Sequence, residues 1–225
     1  MTTPAGPYLP RAEAGLRLAE ALERYRGRPV TVVALPRGGV PLASIVAGRL
    51  GAPLDILIVR KVGAPGNREF GLGAVAEGGV RFLDPVLVRE LGLEPEDLEP
   101  EIRAQTEEVA RLARRLRGGR PPVPLQNRVA VLVDDGMATG GTVKCAVQAV
   151  RLRLPSEVVV AVGVSSREAL RSLESVADAV VCPLVPPELY AVGEWYREFP
   201  QVSDAEVVRL LERHWFARPS DLPTA

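Results

Sequence analysis

The sequence predicts an α/β fold: a parallel β-sheet flanked by helices, with a helical insertion and a small C-terminal hood or tail. Two observations predict it. The strand-like runs, among them VTVVAL at 30–35, LDILIV at 54–59 and VAVLV at 129–133, are near-continuously apolar rather than alternating, broken only by Thr31 and Asp55, as strands buried on both faces are. Helical patterns lie between those runs, as parallel connections require. With 225 residues, 47% hydrophobic and 25% charged, the chain suits one domain with a well-buried core. Residues 1–225 are therefore read as a single domain, with the insertion at about 84–124 and the tail at about 186–225.

Taken in order, residues 11–26 open with Leu16, Ala19 and Leu22 or Glu23 at helical spacing, an amphipathic helix. VTVVAL follows Pro29 as the first strand and ends at Pro36. Gly38 and Gly39 lead into a helix over 40–51 that stops at Gly51. The second strand, 54–59, ends at Arg60-Lys61 and opens into a glycine-rich loop, VGAPGNREFGLG. AVAEGGVRFLD reads as a hairpin turning at Gly78-Gly79. Residues 95–117 form the longest helical pattern, with Leu98, Ile102, Gln105, Val109, Leu112 and Leu116 in one stripe. That stripe suits either a cap on the core or a second subunit. GGRPPVP at 118–124 is a linker or loop. RVAVLVDDG is the next strand, followed by a helix near 142–153. EVVVAVGVS and AVVCPLV are further strands around a helix at 166–176. Ser203 and Glu206 form a capping box that starts a last helix.

Composition narrows the chemistry. There are 28 basic and 28 acidic residues, so no broad field attracts nucleic acid or anionic membranes, and neither is expected as a partner. The lone histidine, His214, sits near the end of the last helix, and mechanisms built on a Ser-His or Cys-His pair are disfavoured. Cys145 and Cys182 lack metal-ligand spacing and lie among apolar neighbours, as buried thiols do. No apolar run approaches the roughly twenty residues that span a bilayer, and no leader-like segment is visible. A cytoplasmic location is expected.

The strongest motif is VAVLVDDGMATGGTV at 129–143. A hydrophobic strand delivers Asp134 and Asp135 to its carboxyl end, where ligands of parallel sheets bind. Ala138, Thr139, Gly140, Gly141 and Thr142 then turn into a helix whose first N–H groups make a concave phosphate site. Adjacent carboxylates accept hydrogen bonds from paired ribose hydroxyls and can help hold a hydrated Mg²⁺. A Walker A loop is excluded, because Thr142 stands where lysine is required.

This segment resembles the 5-phosphoribosyl-1-pyrophosphate (PRPP) motif of type I phosphoribosyltransferases, whose fold is a parallel sheet topped by a variable hood. The resemblance implies a transferase that joins a nitrogenous base or related amine to the phosphoribosyl group of PRPP and releases pyrophosphate. It implies that Asp134 and Asp135 face the ribose hydroxyls and Mg²⁺, directly or through water, while residues 138–142 hold the 5′-phosphate. Leu35-Pro36-Arg37-Gly38-Gly39 lies where the family's pyrophosphate loop lies, so Arg37, Gly38 and Gly39 are expected to bind pyrophosphate, with bidentate help from the guanidinium. Arg60 and Lys61 resemble the start of the family's flexible catalytic loop and are expected to meet the departing pyrophosphate; Lys61 is one of only two lysines. Lys61, Asp134 and Asp135 are the candidate catalytic residues.

The loop departs from guanine and hypoxanthine enzymes, which carry an aspartate at the position of Ala138. Ala-Thr-Gly-Gly-Thr is more similar to adenine enzymes, a local likeness that does not assign the base. Trp195, Tyr196 and Phe199 cluster in the tail, where Trp195 and Tyr196 are candidates to stack on a base, with packing onto the domain as the other reading. A homo-oligomer, a dimer, is expected. A PRPP- or nucleotide-sensing regulator on the same fold is the alternative, and a PRPP-synthetase-like kinase a third reading without visible ATP-binding features.

Overall fold

The computed structural model describes residues 10–216, apart from the side chains of Arg68, Glu69, Trp215 and Phe216. Five strands form one fully parallel sheet: β1 (Val30–Ala34), β2 (Leu54–Ile56), β6 (Val129–Met137), β7 (Glu157–Ser165) and β8 (Ala179–Val181), in the order β2-β1-β6-β7-β8. A separate antiparallel ribbon holds β3 (Val59–Ala64), β4 (Asn67–Ala76) and β5 (Val80–Leu83). The helices are α1 (Arg11–Ala21), α2 (Gly39–Leu50), α3 (Pro85–Glu90), α4 (Pro95–Arg117), α5 (Gly141–Arg151), α6 (Arg167–Leu173) and α7 (Asp204–Phe216). The last part of the expected tail, 217–225, lies outside the described residues.

The apolar runs behave as their composition requires. All five residues of β1 are buried, as are the first five of β6. Alternate side chains go to opposite faces: Val129, Val131 and Val133 pack in one core layer with α1, α2, α4 and α7, while Ala130 and Leu132 pack in the other with α5 and α6. The long stripe of α4 is spent within the chain, because Leu98, Ile102, Val109 and Leu116 are buried in the first layer. Of the two thiols, Cys145 is buried and Cys182 only partly so.

Two sequence expectations are corrected. In α1, Leu16 is 59% exposed, and the buried face is Ala14, Gly15, Leu18, Ala19 and Leu22. Small residues win because α2 comes close: a Cβ on Gly15 would lie 2.8 Å from Ile45 Cδ1. The glycine-rich stretch after Arg60-Lys61 is a ribbon rather than a loop, and those two residues start β3 rather than end β2. Its glycines serve turning and close approach: Gly66 has φ 77°, and a Cβ on Gly73 would meet the Phe82 carbonyl at 2.1 Å. The hairpin between β4 and β5 turns at Gly78-Gly79 as expected.

A buried ionic knot fastens the insertion to the sheet. Arg117, 4% exposed at the end of α4, donates to Asp55 Oδ1 on β2 at 2.8 Å and to Glu77 Oε2 at 2.6 Å. Asp55 Oδ2 also accepts from the Val123 N–H at 2.9 Å, and Glu77 Oε1 from the Ile58 N–H at 2.7 Å. Every charge in the knot has a partner, which buried charges require.

Candidate active site

The acidic pair stands where β6 runs past the end of β1 while still paired with β7. Asp134 Oδ1 accepts the Asp135 N–H at 2.9 Å. Burial first, and then the negative charge of Asp135, push the Asp134 carboxyl well above the usual range. Burial also raises Asp135, with Arg11 pulling the other way. Arg11 Nε lies 3.1 Å from Asp135 Oδ2, and the same guanidinium donates to the Pro200 carbonyl at 2.7 Å and sits 3.7 Å over the Phe199 ring. The Tyr196 hydroxyl donates to the Asp135 carbonyl at 2.6 Å, and its ring stacks on Phe199 at 5.0 Å. Asp135 is thus held on its side chain by the start of α1 and on its backbone by the tail.

Beyond the pair, the chain turns through Ala138 and Thr139 into α5. Gly140 takes φ 83° at the helix N-cap, a conformation glycine adopts without strain. The Ser166 hydroxyl steadies the turn by donating to the Ala138 carbonyl at 2.7 Å. Ala138 and Thr139 are exposed, while Gly141 and Thr142 are half-buried at the helix start, where amide groups and the helix dipole favour an anion.

The loop after β1 abuts the pair directly. A Cβ on Gly38 would fall 1.9 Å from Asp135 Oδ2, and one on Gly39 would fall 2.5 Å from the Val133 carbonyl. No other residue permits this approach. The Pro36–Arg37 peptide is cis. The Arg37 guanidinium reaches the other way, with Nε 3.0 Å from Asp204 Oδ1.

A cleft of about 590 Å³ opens beside these groups, with Arg11, Arg37, Gly38, Arg60, Asp135 and Phe199 in its wall. Arg60 Nε donates to Gln105 Oε1 of α4 at 3.3 Å. The structure therefore brings Arg37, Gly38, Arg60 and Asp135 to one cavity. Lys61 is exposed on β3 outside that wall, with its stem near Gly71. Of the tail aromatics, Tyr196 is 4% exposed and engaged with Asp135, Trp195 is partly buried against the core, and Phe199 faces the cleft. Sequence reasoning missed Arg11 as a partner of Asp135, because one arginine at the head of an amphipathic helix looks like any solvated residue.

Residues 12–188 match the phosphoribosyl transferase domain. The chain belongs to that family. The family match covers the acidic pair, the α5 turn, the loop after β1 and the ribbon. The chain is 45% identical over 203 residues, 90% of its length, to a protein of Mycobacterium tuberculosis provisionally named a phosphoribosyl transferase, in strain CDC 1551 and equally in strain H37Rv. It spans about half the length of those curated relatives, 46%. It is also similar to the crystal structure of TT1426 from Thermus thermophilus, with 44% identity, a TM-score of 0.79, and coverage of 92% of this chain and 99% of that one. A phosphoribosyl transferase domain on a parallel sheet flanked by helices is what the sequence resemblance implied. Among the described residues no helix is long and apolar enough to cross a membrane.

Proposed function

We propose that this phosphoribosyl transferase domain moves the 5-phosphoribosyl group of PRPP to a nitrogenous base or related amine and releases pyrophosphate. One observation carries the reading. Gly38 and Gly39 press against Asp135 and Asp134, which makes one continuous surface of an anion-friendly loop and an acidic pair. PRPP presents the matching sequence of groups, with a diphosphate on C1 next to two ribose hydroxyls and a phosphate at the far end. In this reading Asp134 and Asp135 accept from the hydroxyls, and the amides of residues 138–142 hold the 5′-phosphate. Arg37, Gly38, Gly39 and Arg60 hold the diphosphate.

The donor set fits Mg²⁺. Two adjacent carboxylates, both destabilised as anions by burial, with Asp134 raised further by the charge of Asp135 and Asp135 compensated by one guanidinium, suit a hard divalent cation. Among the described residues no cluster of three or more His, Cys, Asp or Glu could hold a metal, so the remaining oxygens would come from PRPP and water. Bound there, Mg²⁺ would neutralise charge on the diphosphate.

The chain's own contribution is positioning. The acceptor nitrogen attacks C1 as the C1–O bond to pyrophosphate breaks and its electron pair leaves with pyrophosphate, through an oxocarbenium-like transition state. No protein nucleophile is needed. Lys61 would reach the departing diphosphate through movement of the ribbon that carries it, and the tail would act as the hood. A panel of purines, pyrimidines and simple amines incubated with PRPP and Mg²⁺ tests the proposal. Pyrophosphate release with one of them is expected, and binding of PRPP without release from any of them contradicts it.

A further inference from the structure

The insertion is more than a clamp on the sheet. Asp204, the first residue of α7, sits between two guanidiniums from different elements: Arg37 of the loop after β1, at 3.0 Å, and Arg115 of α4. Both arginines are about half exposed, while the aspartate side chain is only 15% exposed. The buried Asp204 Oδ1 has this ion pair but no hydrogen bond, so it neutralises Arg37 without using its directional donors. More positive charge lies nearby. Glu108 is held below the usual carboxylate range chiefly by its bond from Arg111, with Arg60 and Arg115 adding their charge, and Asp204 lies within reach of the Arg111 charge. Arg37 of the β1 loop and Arg60 of the ribbon line the cleft, and Arg37 shares a single tethered carboxylate with Arg115 of α4.

We propose that Arg115 of α4 completes the diphosphate-binding site together with Arg37, and that Asp204 is an internal anion that occupies this site until a diphosphate displaces it. A single carboxylate cannot satisfy two guanidinium forks, whereas a diphosphate offers each fork a pair of oxygens and more negative charge. Release of Asp204 would also free the start of α7, which follows the tail segment that carries Phe199 and Gln201 in the cleft wall. Diphosphate binding and loosening of the tail are then one event. The inference rests on the phosphoribosyl-transfer reading only for the identity of the natural diphosphate.

Sodium pyrophosphate titrated calorimetrically into the full chain tests it, with no acceptor base needed. Asp204→Asn should bind pyrophosphate about 5-fold more tightly, the scale of an exposed ion pair, and Arg115→Ala about 5-fold more weakly. Arg89→Ala, on the remote helix α3, serves as the charge control and should bind like the parent. If Asp204→Asn folds poorly, Asp204→Ser takes its place. Unchanged or weaker binding by the Asp204 variant overturns the proposal, as does unchanged binding by Arg115→Ala or a parent that binds no pyrophosphate. The two readings fail separately. The variant pattern without turnover on any base leaves this site standing and sinks the transferase, while turnover with no variant pattern does the reverse.

Discussion

At Gly38 one methyl group decides whether the loop after β1 can meet the acidic pair of β6. A Cβ there would fall 1.9 Å from Asp135 Oδ2, closer than any packing tolerates, so either the loop or the carboxylate must move. Gly38→Ala is expected to weaken PRPP–Mg²⁺ binding by ~10-fold or more, about 1.4 kcal/mol, and calorimetry would show it; unchanged affinity would remove the close approach from the account. The double variant Asp134→Asn/Asp135→Asn should lose at least as much, since it removes both negative charges and turns one oxygen of each carboxylate into a donor while leaving the shape. Lys61 is expected to behave differently. A side chain that meets the diphosphate only as it departs stabilises the transition state rather than the bound substrate. Lys61→Ala should keep PRPP affinity within a few-fold and lower turnover ~100-fold, about 2.7 kcal/mol. Equal losses in binding and turnover would give Lys61 an ordinary binding role.

Elements were legible in proportion to how local their cause is. The strands expected at 54–59 and 179–185 end early, at Ile56 and Val181, but the other buried strands, the stripe of α4 and the turn into α5 follow from side chains a few positions apart and stand where the pattern put them. The ribbon did not, because its glycines serve contacts with strands that the linear pattern cannot see, such as Gly73 beneath the Phe82 carbonyl. Arg117 was equally invisible: Asp55 is 62 residues away in sequence, and an arginine at a helix end looks solvated until the partner strand arrives. The same long-range character makes the knot sensitive. Arg117→Ala would strand Asp55 and Glu77 in the interior, and about 3–5 kcal/mol of stability should disappear, measurable by urea unfolding; a loss under about 1 kcal/mol would mean that α4 is held by its apolar stripe alone. If the ribbon closes over ligand, hydrogen exchange across residues 61–73 should slow when PRPP binds, and identical protection with and without PRPP would mark it as a rigid element.

Across the whole molecule, the terminal segments converge on the site: α1 delivers Arg11 to Asp135, and the tail delivers Tyr196 to the Asp135 carbonyl and Asp204 to Arg37. The partnering of Arg11 with Asp135 and of Asp204 with Arg37 could not be read from the sequence, which pointed to the tail only as a hood with Trp195 and Tyr196 as candidates to stack on a base; the turns at 36–39 and 138–142 could, because turn chemistry is written in adjacent residues. The tail also brings a pH dependence. His214 of α7 lies 3.0 Å from the Ser44 hydroxyl of α2, and burial, with Arg213 adding to it, lowers its pKa from 6.5. A depressed histidine is neutral in the fold and takes up protons more readily when unfolded, so its contribution is present above pH 6.5 and is lost as pH falls through the depressed value. The thermal midpoint of the parent should therefore fall more between pH 7.5 and 5.5 than that of His214→Gln, and parallel curves would place His214 outside the packing of α7. The most direct measurement of the central claim is the ³¹P spectrum of PRPP and Mg²⁺ mixed with the protein and a pool of bases. Phosphoribosyl transfer predicts that the diphosphate signals of PRPP give way to free pyrophosphate, with one base converted to its nucleotide. An unchanged PRPP spectrum in the presence of tight binding would contradict the transferase and leave a protein that only senses its ligand.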